Sequence, residues 1–387
     1  MKAQRTPSTV SATAKLRIAL FTDSYLPVRD GVVSSILNFR QGLRQKKHEL
    51  YVFAPSLPHA KAEAGVFRYP SVKFLPYPDY QAAILPSVHP SSARKASPQL
   101  VHSKAMVNMG LAAISYAKMK KIPAMASLET MIPDGMHYVL PHPGMQGIGR
   151  EIAWSYLRWF YSNFSLVTAP SAHAQAIMRE NGIEAEVLPS PIDTEKFKPN
   201  RHGKVVRKQL GLAGKKIVLS VGRVVKEKNY SFLVRTAKRM RNEDVAFLIA
   251  GKGPYLDELK KEAQDSGVAS SFYFAGFVPD ALLVDYYNAA DCFVFSSSFE
   301  TQGLSALEAF ACGKPACVLD NTPMSELVVE GKNGYVFSDD EEECAEKIMA
   351  CLGRGSKMSS AARSTALRYS IPKCTDALLR CYRQLLE

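Results

Sequence analysis

Glu300 and Glu308 stand eight positions apart, with Gln302, Gly303 and Leu304 between them. Carboxylates accept hydrogen bonds from hydroxyl groups, so two of them near one turn can hold sugar or ribose hydroxyls. The surrounding stretch shows what would position them. The apolar run Cys292–Phe295 has the length and aromatic content of a buried strand. Thr301 to Gly303 break that pattern. From Leu304 small and apolar residues recur at helical spacing, until Gly313 can cap the helix and Pro315 can stop it. A strand, a glycine turn and a helix N-terminus seat an anion, because the first helical N–H groups have no internal partners. A phosphate seat flanked by two carboxylates predicts a site for a nucleotide sugar.

Arg223 and Lys228 supply the opposite charge, five apart after the predicted strand Ile217–Val221. An Arg can grip a diphosphate leaving group in a fork, and a Lys adds a point charge as the glycosidic bond breaks. A solvated basic turn is the plainer alternative. Gly251 and Gly253 follow the strand Val245–Ala250, where glycine permits close backbone approach. Phe277 and Val278 follow the strand Phe272–Phe274 and offer backbone rather than side-chain contacts. Four motifs after four strands fall along one carboxyl edge, the edge at which open α/β sheets bind ligands.

The first half has the same plan. A strand Leu16–Phe21 leads through a loop holding Asp23, Tyr25 and Gly31 to a helix ending near Arg44, then to a strand Glu49–Ala54. Further strands near Leu100–Val101, Ala124–Ala126 and Leu166–Ala169 alternate with helical stretches. This predicts an α/β protein of two Rossmann-like, doubly wound domains. The expected organisation is a disordered leader over 1–15, a first domain over 16–198, a second over 199–370 and a final helical segment over 371–387. The basic stretch Lys196–Lys208 reads as the linker. No G-x-G-x-x-G fingerprint occurs, which argues against ordinary NAD binding.

At 387 residues the chain is long enough for two such domains. Its net charge of +13 is uneven: residues 1–198 hold 23 Lys/Arg against 13 Asp/Glu, residues 199–387 hold 26 against 23. A basic first half suits phosphates or an anionic membrane surface, and general solubility would also account for it. There is no nucleic-acid motif. The seven cysteines include no C-x-x-C pair and predict free thiols in a reducing compartment. The expected location is the cytoplasm, with peripheral contact to the membrane's cytoplasmic face. Trp154, Tyr156, Leu157, Trp159, Phe160, Tyr161 and Phe164, with Arg150 and Arg158, read either as core or as an interfacial helix.

Taken together, these strings resemble the retaining glycosyltransferases of family 4, which have the GT-B fold. Glu300 to Glu308 is similar to that family's E-x7-E element, Gly222–Asn229 to its G-R-x4-K element, and Gly251–Pro254 to its A-G-x-G-P turn. The loop Asp23–Gly31 is similar to its glycine loop. The resemblance runs from about Arg17 to Glu387 and leans toward lipid-directed members, such as diacylglycerol glucosyltransferases and phosphatidylinositol mannosyltransferases. It implies a cleft between the domains and a final helix that crosses back to the first. It also implies hexosyl transfer from a nucleoside diphosphate sugar to a hydroxyl, with retention and with neither metal nor cofactor. On the donor side, Gly31, Arg223, Lys228, Gly251, Gly253, Phe277, Val278, Glu300, Gln302, Gly303, Leu304 and Glu308 would bind, Glu308 through the ribose and Glu300 through the sugar. On the acceptor side, Asp23, Tyr25, His102, Lys104 and His137 would line the site.

Two positions depart from the family pattern. Glu129 stands in Ala126–Thr130 where lipid-directed members resemble T-Y-H-T, and Lys104 replaces the second histidine of V-H-S-H while His102 is kept. A carboxylate at 129 could stabilise positive charge at the anomeric carbon or take the acceptor's proton. Its presence equally suits a nucleotide-sugar binder that has lost transfer. Another GT-B enzyme, an epimerase or phosphorylase, is the remaining alternative.

Overall fold

Short apolar strands alternating with helices build two separate parallel sheets in the computed structural model, which describes residues 14–73, 81–84, 96–133 and 143–387. Most of the leader expected over 1–15, and His137, lie outside the described residues. The chain divides into two compact units: Met1–Pro191 with Ile371–Glu387, and Ile192–Ser370.

The first unit runs β1 (Arg17–Phe21), α1 (Gly31–Gln45), β2 (Glu49–Pro55), β3 (Val66–Tyr69), β4 (Ser71–Lys73), β5 (Gln81–Ala83) and β6 (Leu100–Ser103). It continues with α2 (Asn108–Lys120), β7 (Ala124–Ser127), α3 (Pro143–Tyr161), β8 (Leu166–Ala169), α4 (Ala172–Glu180) and β9 (Glu186–Val187). Among the described residues its main sheet has the order β3-β2-β1-β6-β7-β8-β9, all parallel, with β4 and β5 in a small antiparallel pair. The order reverses between β1 and β6. Ile18, Leu20 and Phe21 are buried in β1, as a strand covered on both faces requires.

The second unit runs α5 (Gly203–Gln209), β10 (Lys216–Val221), α6 (Tyr230–Arg239), β11 (Val245–Ala250), α7 (Leu256–Asp265) and β12 (Phe272–Gly276). Then come α8 (Asp280–Ala289), β13 (Cys292–Phe295), α9 (Leu304–Ala311), β14 (Ala316–Leu319), β15 (Gly334–Phe337) and α10 (Glu341–Leu367). Its sheet is parallel in the order β12-β11-β10-β13-β14-β15, and it reverses between β10 and β13.

Two differences from the sequence reading have local causes. Residues 203–209 form α5 rather than linker, because Val206 finds a buried site and Arg207 reaches the Ala289 carbonyl and the Asp291 carboxylate. Residues 192–198 group with the second unit, seven residues before the expected boundary. Ile192 donates its N–H to Tyr369 at 2.8 Å, Arg363 donates to the carbonyls of Thr194 and Phe197, and Phe197 meets Tyr287 edge-on.

The last helix, α11 (Ile371–Leu386), groups with the first unit. It lies so close to α1 that a Cβ on Gly42 would sit 2.0 Å from the Thr375 hydroxyl oxygen. Lys46 pairs with Asp376 at 2.8 Å on the same seam.

Candidate active site

The carboxyl edge of the second sheet gathers the charged residues at its reversal point. After β10 the chain passes Gly222 and Arg223 into a short 3-10 turn, Lys226–Lys228, ending in left-handed Asn229. After β13 the Ser296 hydroxyl donates to the carbonyls of Lys228 and Asn229 at 3.0 and 3.2 Å, and the Ser297 hydroxyl to that of Glu227 at 3.3 Å. Those bonds lock the two loops together. Across them the Lys228 ammonium pairs with the Glu300 carboxylate. Burial lowers the Lys228 pKa to about 8, opposed by Glu227 and aided by the neighbouring Arg223. A pKa near 8 leaves Lys228 mostly a cation at neutral pH, facing the Glu300 carboxylate.

Gly303 is the N-cap of α9 with φ +81°, where a Cβ would strike the Met324 side chain at 2.6 Å. Glycine is required twice over, by conformation and by space. No side chain caps α9; the N–H groups of Ala306 and Leu307 turn back to the Gly303 carbonyl, which leaves those of Leu304 and Ser305 at the helix start to face an anion beside Lys228. Gln302 is buried behind the turn. One turn into α9, partly buried Glu308 accepts a 2.7 Å hydrogen bond from the Tyr287 hydroxyl through Oε2. Burial raises its pKa to about 7, with Tyr287 and then Lys196 opposing and Asp280 adding. Sequence reasoning missed Tyr287 because a helical tyrosine in α8 carries no signature of its distant partner.

Gly251 and Gly253 are required by the packing of two loops. A Cβ on Gly251 would lie 1.7 Å from the Gly222 carbonyl oxygen, and one on Gly253 would lie 2.1 Å from that of Val224. These glycines let the loop after β11 lie against the loop carrying Arg223, and Val224 N–H bonds the Lys252 carbonyl at 2.9 Å. Phe277 and Val278 follow β12 on the same edge, Phe277 exposed and Val278 buried.

In the first unit, Gly31 opens α1 behind the N-cap Asp30, which accepts from Val33 N–H at 2.8 Å and from the Ser24 hydroxyl at 2.7 Å. Asp23 accepts from the N–H groups of Val107 and Met109 and so caps α2; burial raises its pKa against those backbone bonds. Three acceptor-side candidates have partners inside the first unit. Asp23 is committed to α2. Tyr25 is fully buried, its hydroxyl accepting from Arg40 at 2.9 Å and its ring under Arg68. His102 is also fully buried, with Nδ1 2.9 Å from the Tyr382 hydroxyl of α11 and Nε2 2.7 Å from that of Ser127. Burial and nearby Lys104 hold it well below its ordinary pKa, so it is a neutral strut between β6, β7 and α11.

The two departures meet each other. Lys104 Nζ pairs with the Glu129 carboxylate, both nearly buried, and also donates to the Ser35 hydroxyl at 3.0 Å; Ser35 in turn bonds Ser190 at 2.7 Å. Burial raises the Glu129 pKa and Lys104 opposes it. Neither residue type alone is informative in the sequence. Each is the counter-charge of the other.

Two parallel Rossmann-type sheets, with Arg223, Lys228, Glu300 and the start of α9 along the carboxyl edge of the second, give the architecture of a GT-B glycosyltransferase. The chain belongs to glycosyltransferase family 4. The family model described as Glycosyltransferase Family 4 matches residues 29–196, and that described as Glycosyl transferases group 1 matches residues 204–366. It is 31% identical to the alpha-monoglucosyldiacylglycerol synthase of Streptococcus pneumoniae over 87% of this chain and 78% of the relative. It is 26% identical to a GDP-mannose-dependent alpha-mannosyltransferase of Mycolicibacterium smegmatis over 96% of this chain and 98% of that one. Anabaena HepE, solved with UDP-glucose, shares the fold at a TM-score of 0.75 and 18% identity, over 95% of this chain and all of that one. The expected fold class and hexosyltransferase activity thus hold. No helix among the described residues is long and apolar enough to cross a membrane.

Proposed function

We propose that this protein transfers a hexosyl group, with retention at the anomeric carbon and without a metal, from a nucleoside diphosphate sugar to a hydroxyl of a membrane lipid or lipid-linked glycan. One observation carries the donor half of this reading. At the reversal point of the second sheet, Arg223, the Lys228–Glu300 pair and the uncapped start of α9 share one edge. In this reading Arg223, Lys228 and the α9 N–H groups neutralise the departing diphosphate, which is the charge a metal would otherwise meet. Glu300 accepts from a donor-sugar hydroxyl once the diphosphate takes Lys228. Glu308 accepts from the ribose diol.

For the acceptor, the basic first half and one helix face support a lipid. On α3, Ile148, Ile152 and Trp159 are 68%, 64% and 52% exposed. Their spacing places them on one stripe, and Arg158 borders it. Trp154, Leu157 and Phe160 on the opposite side are buried, so the aromatic helix is core on one face and apolar surface on the other. Such a stripe suits the headgroup–acyl boundary. The relative from Streptococcus pneumoniae favours a glucosyl donor and a diacylglycerol acceptor. We place the enzyme at the cytoplasmic face of the membrane, consistent with its seven free cysteines.

The test is a melting-temperature screen of UDP- and GDP-sugars, followed by transfer from the best donor to diacylglycerol in vesicles. A ligand at 100 times its dissociation constant adds about 2.7 kcal/mol, so the cognate donor should stand out. Donor binding without transfer to any acceptor would favour the nucleotide-sugar binder, and release of free sugar phosphate would favour a phosphorylase.

A further inference from the structure

The sulfur atoms of Cys292, Cys317 and Cys351 lie within 4.8 Å of one another in the core of the second unit, and sugar transfer gives them nothing to do. Three elements bring them together. Cys292 opens β13 and Cys317 is the second residue of β14, where it pairs in register with Val294. Cys292 and Cys317 are therefore diagonal neighbours on one face of the sheet, their sulfurs 3.7 Å apart. Helix α10 covers that face with Cys344, Ile348, Cys351 and Leu352, buried at helical spacing. The nucleotide-sugar edge lies at the other, carboxyl end of these strands.

We propose that Cys292, Cys317 and Cys351 form a three-sulfur binding site for a soft monovalent cation of the copper(I) class. Sulfur ligands select soft ions. A metal about 2.3 Å from three sulfurs in one plane sets them about 4 Å apart, so the sulfur separations need to adjust by less than about 1 Å. Zinc wants a fourth ligand, and among the described residues the group has three members. The core around it includes Val218, Val294, Ile348 and Leu352. Each S–Cu bond replaces an S–H bond whose proton leaves to solvent, so the sulfurs bind as thiolates and no electron is transferred. Entry has a weak point. Gly353 and Gly355 follow Cys351 in α10, where glycine disfavours the helix, and the position of a Cβ on Gly353 is open space.

The reduced protein would be titrated with copper(I) under anaerobic conditions against a chromophoric copper(I) chelator, with zinc(II) in parallel. We expect one equivalent held against the chelator, a higher melting temperature, and at least a tenfold loss of affinity in Cys351→Ser and in Cys292→Ser. Cys312→Ser and Cys374→Ser should bind as the parent does. Because a core variant can fail to fold, the parent protein also answers alone: copper(I) should shield these three thiols, and not the other four, from alkylation in mild denaturant, counted by mass. Failure to hold copper(I), retention unaffected by Cys351→Ser, shielding of other cysteines, or preference for zinc(II) would each overturn the proposal.

Discussion

Lys228 and Glu300 are bound to each other, so a diphosphate must compete with that carboxylate for the ammonium. Arg223→Ala or Lys228→Ala should weaken nucleoside diphosphate binding by about 1.5–3 kcal/mol, the range of charge-assisted hydrogen bonds, as read by calorimetric titration. Glu308 adds a pH dependence. With its pKa raised to about 7, the carboxylate is about one-tenth ionised at pH 6 and nine-tenths at pH 8, and only the ionised form is a pure acceptor for ribose. Nucleotide affinity should therefore rise about tenfold from pH 6 to pH 8, and Glu308→Gln should flatten the profile. The same shift acts oppositely on stability. A raised carboxylate pKa contributes stability that is complete below the unfolded value of 4.5 and is lost as pH rises through about 7. Glu129 separates into two roles by a similar logic. Glu129→Gln leaves Lys104 buried without its counter-charge, a change that costs about 3–5 kcal/mol in comparable buried pairs. Lys104→Met in the same chain removes that penalty. If the carboxylate acts on the reacting centre, the double variant should regain its melting temperature while turnover stays about 10²–10⁴-fold down with donor affinity unchanged. Recovery of turnover along with stability would make the pair structural.

At the scale of elements, the glycines of one short loop decide whether the donor edge forms. Gly251→Ala would press a methyl group into the Gly222 carbonyl and part the loops that hold Arg223. It should destabilise by at least the 1–3 kcal/mol of an overpacked core and lower donor affinity with it. Gly353→Ala, in the open middle of α10, should stabilise by about 0.5–1 kcal/mol. Denaturant midpoints of the two variants should thus move in opposite directions. The contrast shows what a single chain can tell. Strands such as Val245–Ala250 and Cys292–Phe295 were legible to the residue, because a parallel strand covered on both faces is an unbroken apolar run. The place of Arg223, Lys228 and Glu300 at the carboxyl edge was legible because each falls just past such a run. Whether a glycine serves a ligand or a neighbouring loop was not, since both uses select the same residue. Nor were the Lys104–Glu129 and Tyr287–Glu308 contacts, whose partners are 25 and 21 positions apart and are joined only by tertiary packing. The partners of His102 were hidden for a related reason: Tyr382 and Ser127 reach its two ring nitrogens only through tertiary packing.

For the molecule as a whole, the proposed lipid acceptor requires attraction to a surface as well as a site. Residues 1–198 carry most of the net charge, and the exposed stripe Ile148, Ile152 and Trp159 supplies apolar contact. These two contributions respond differently to salt. Charge attraction fades as the screening length falls from about 10 Å at 0.1 M to 3 Å at 1 M, whereas burial of apolar side chains does not weaken with ionic strength in that way. The protein should sediment with anionic vesicles at low salt more strongly than with neutral ones, and 1 M salt should remove most of that difference. Ile152→Ser with Trp159→Ser should reduce binding to both vesicle types at either salt concentration. The same pair should raise the apparent KM for a vesicle-borne acceptor and leave nucleotide affinity as it was, because the stripe and the donor residues belong to different units. Indifference to vesicle charge, to salt and to the loss of the stripe would leave a water-soluble hydroxyl acceptor as the substrate.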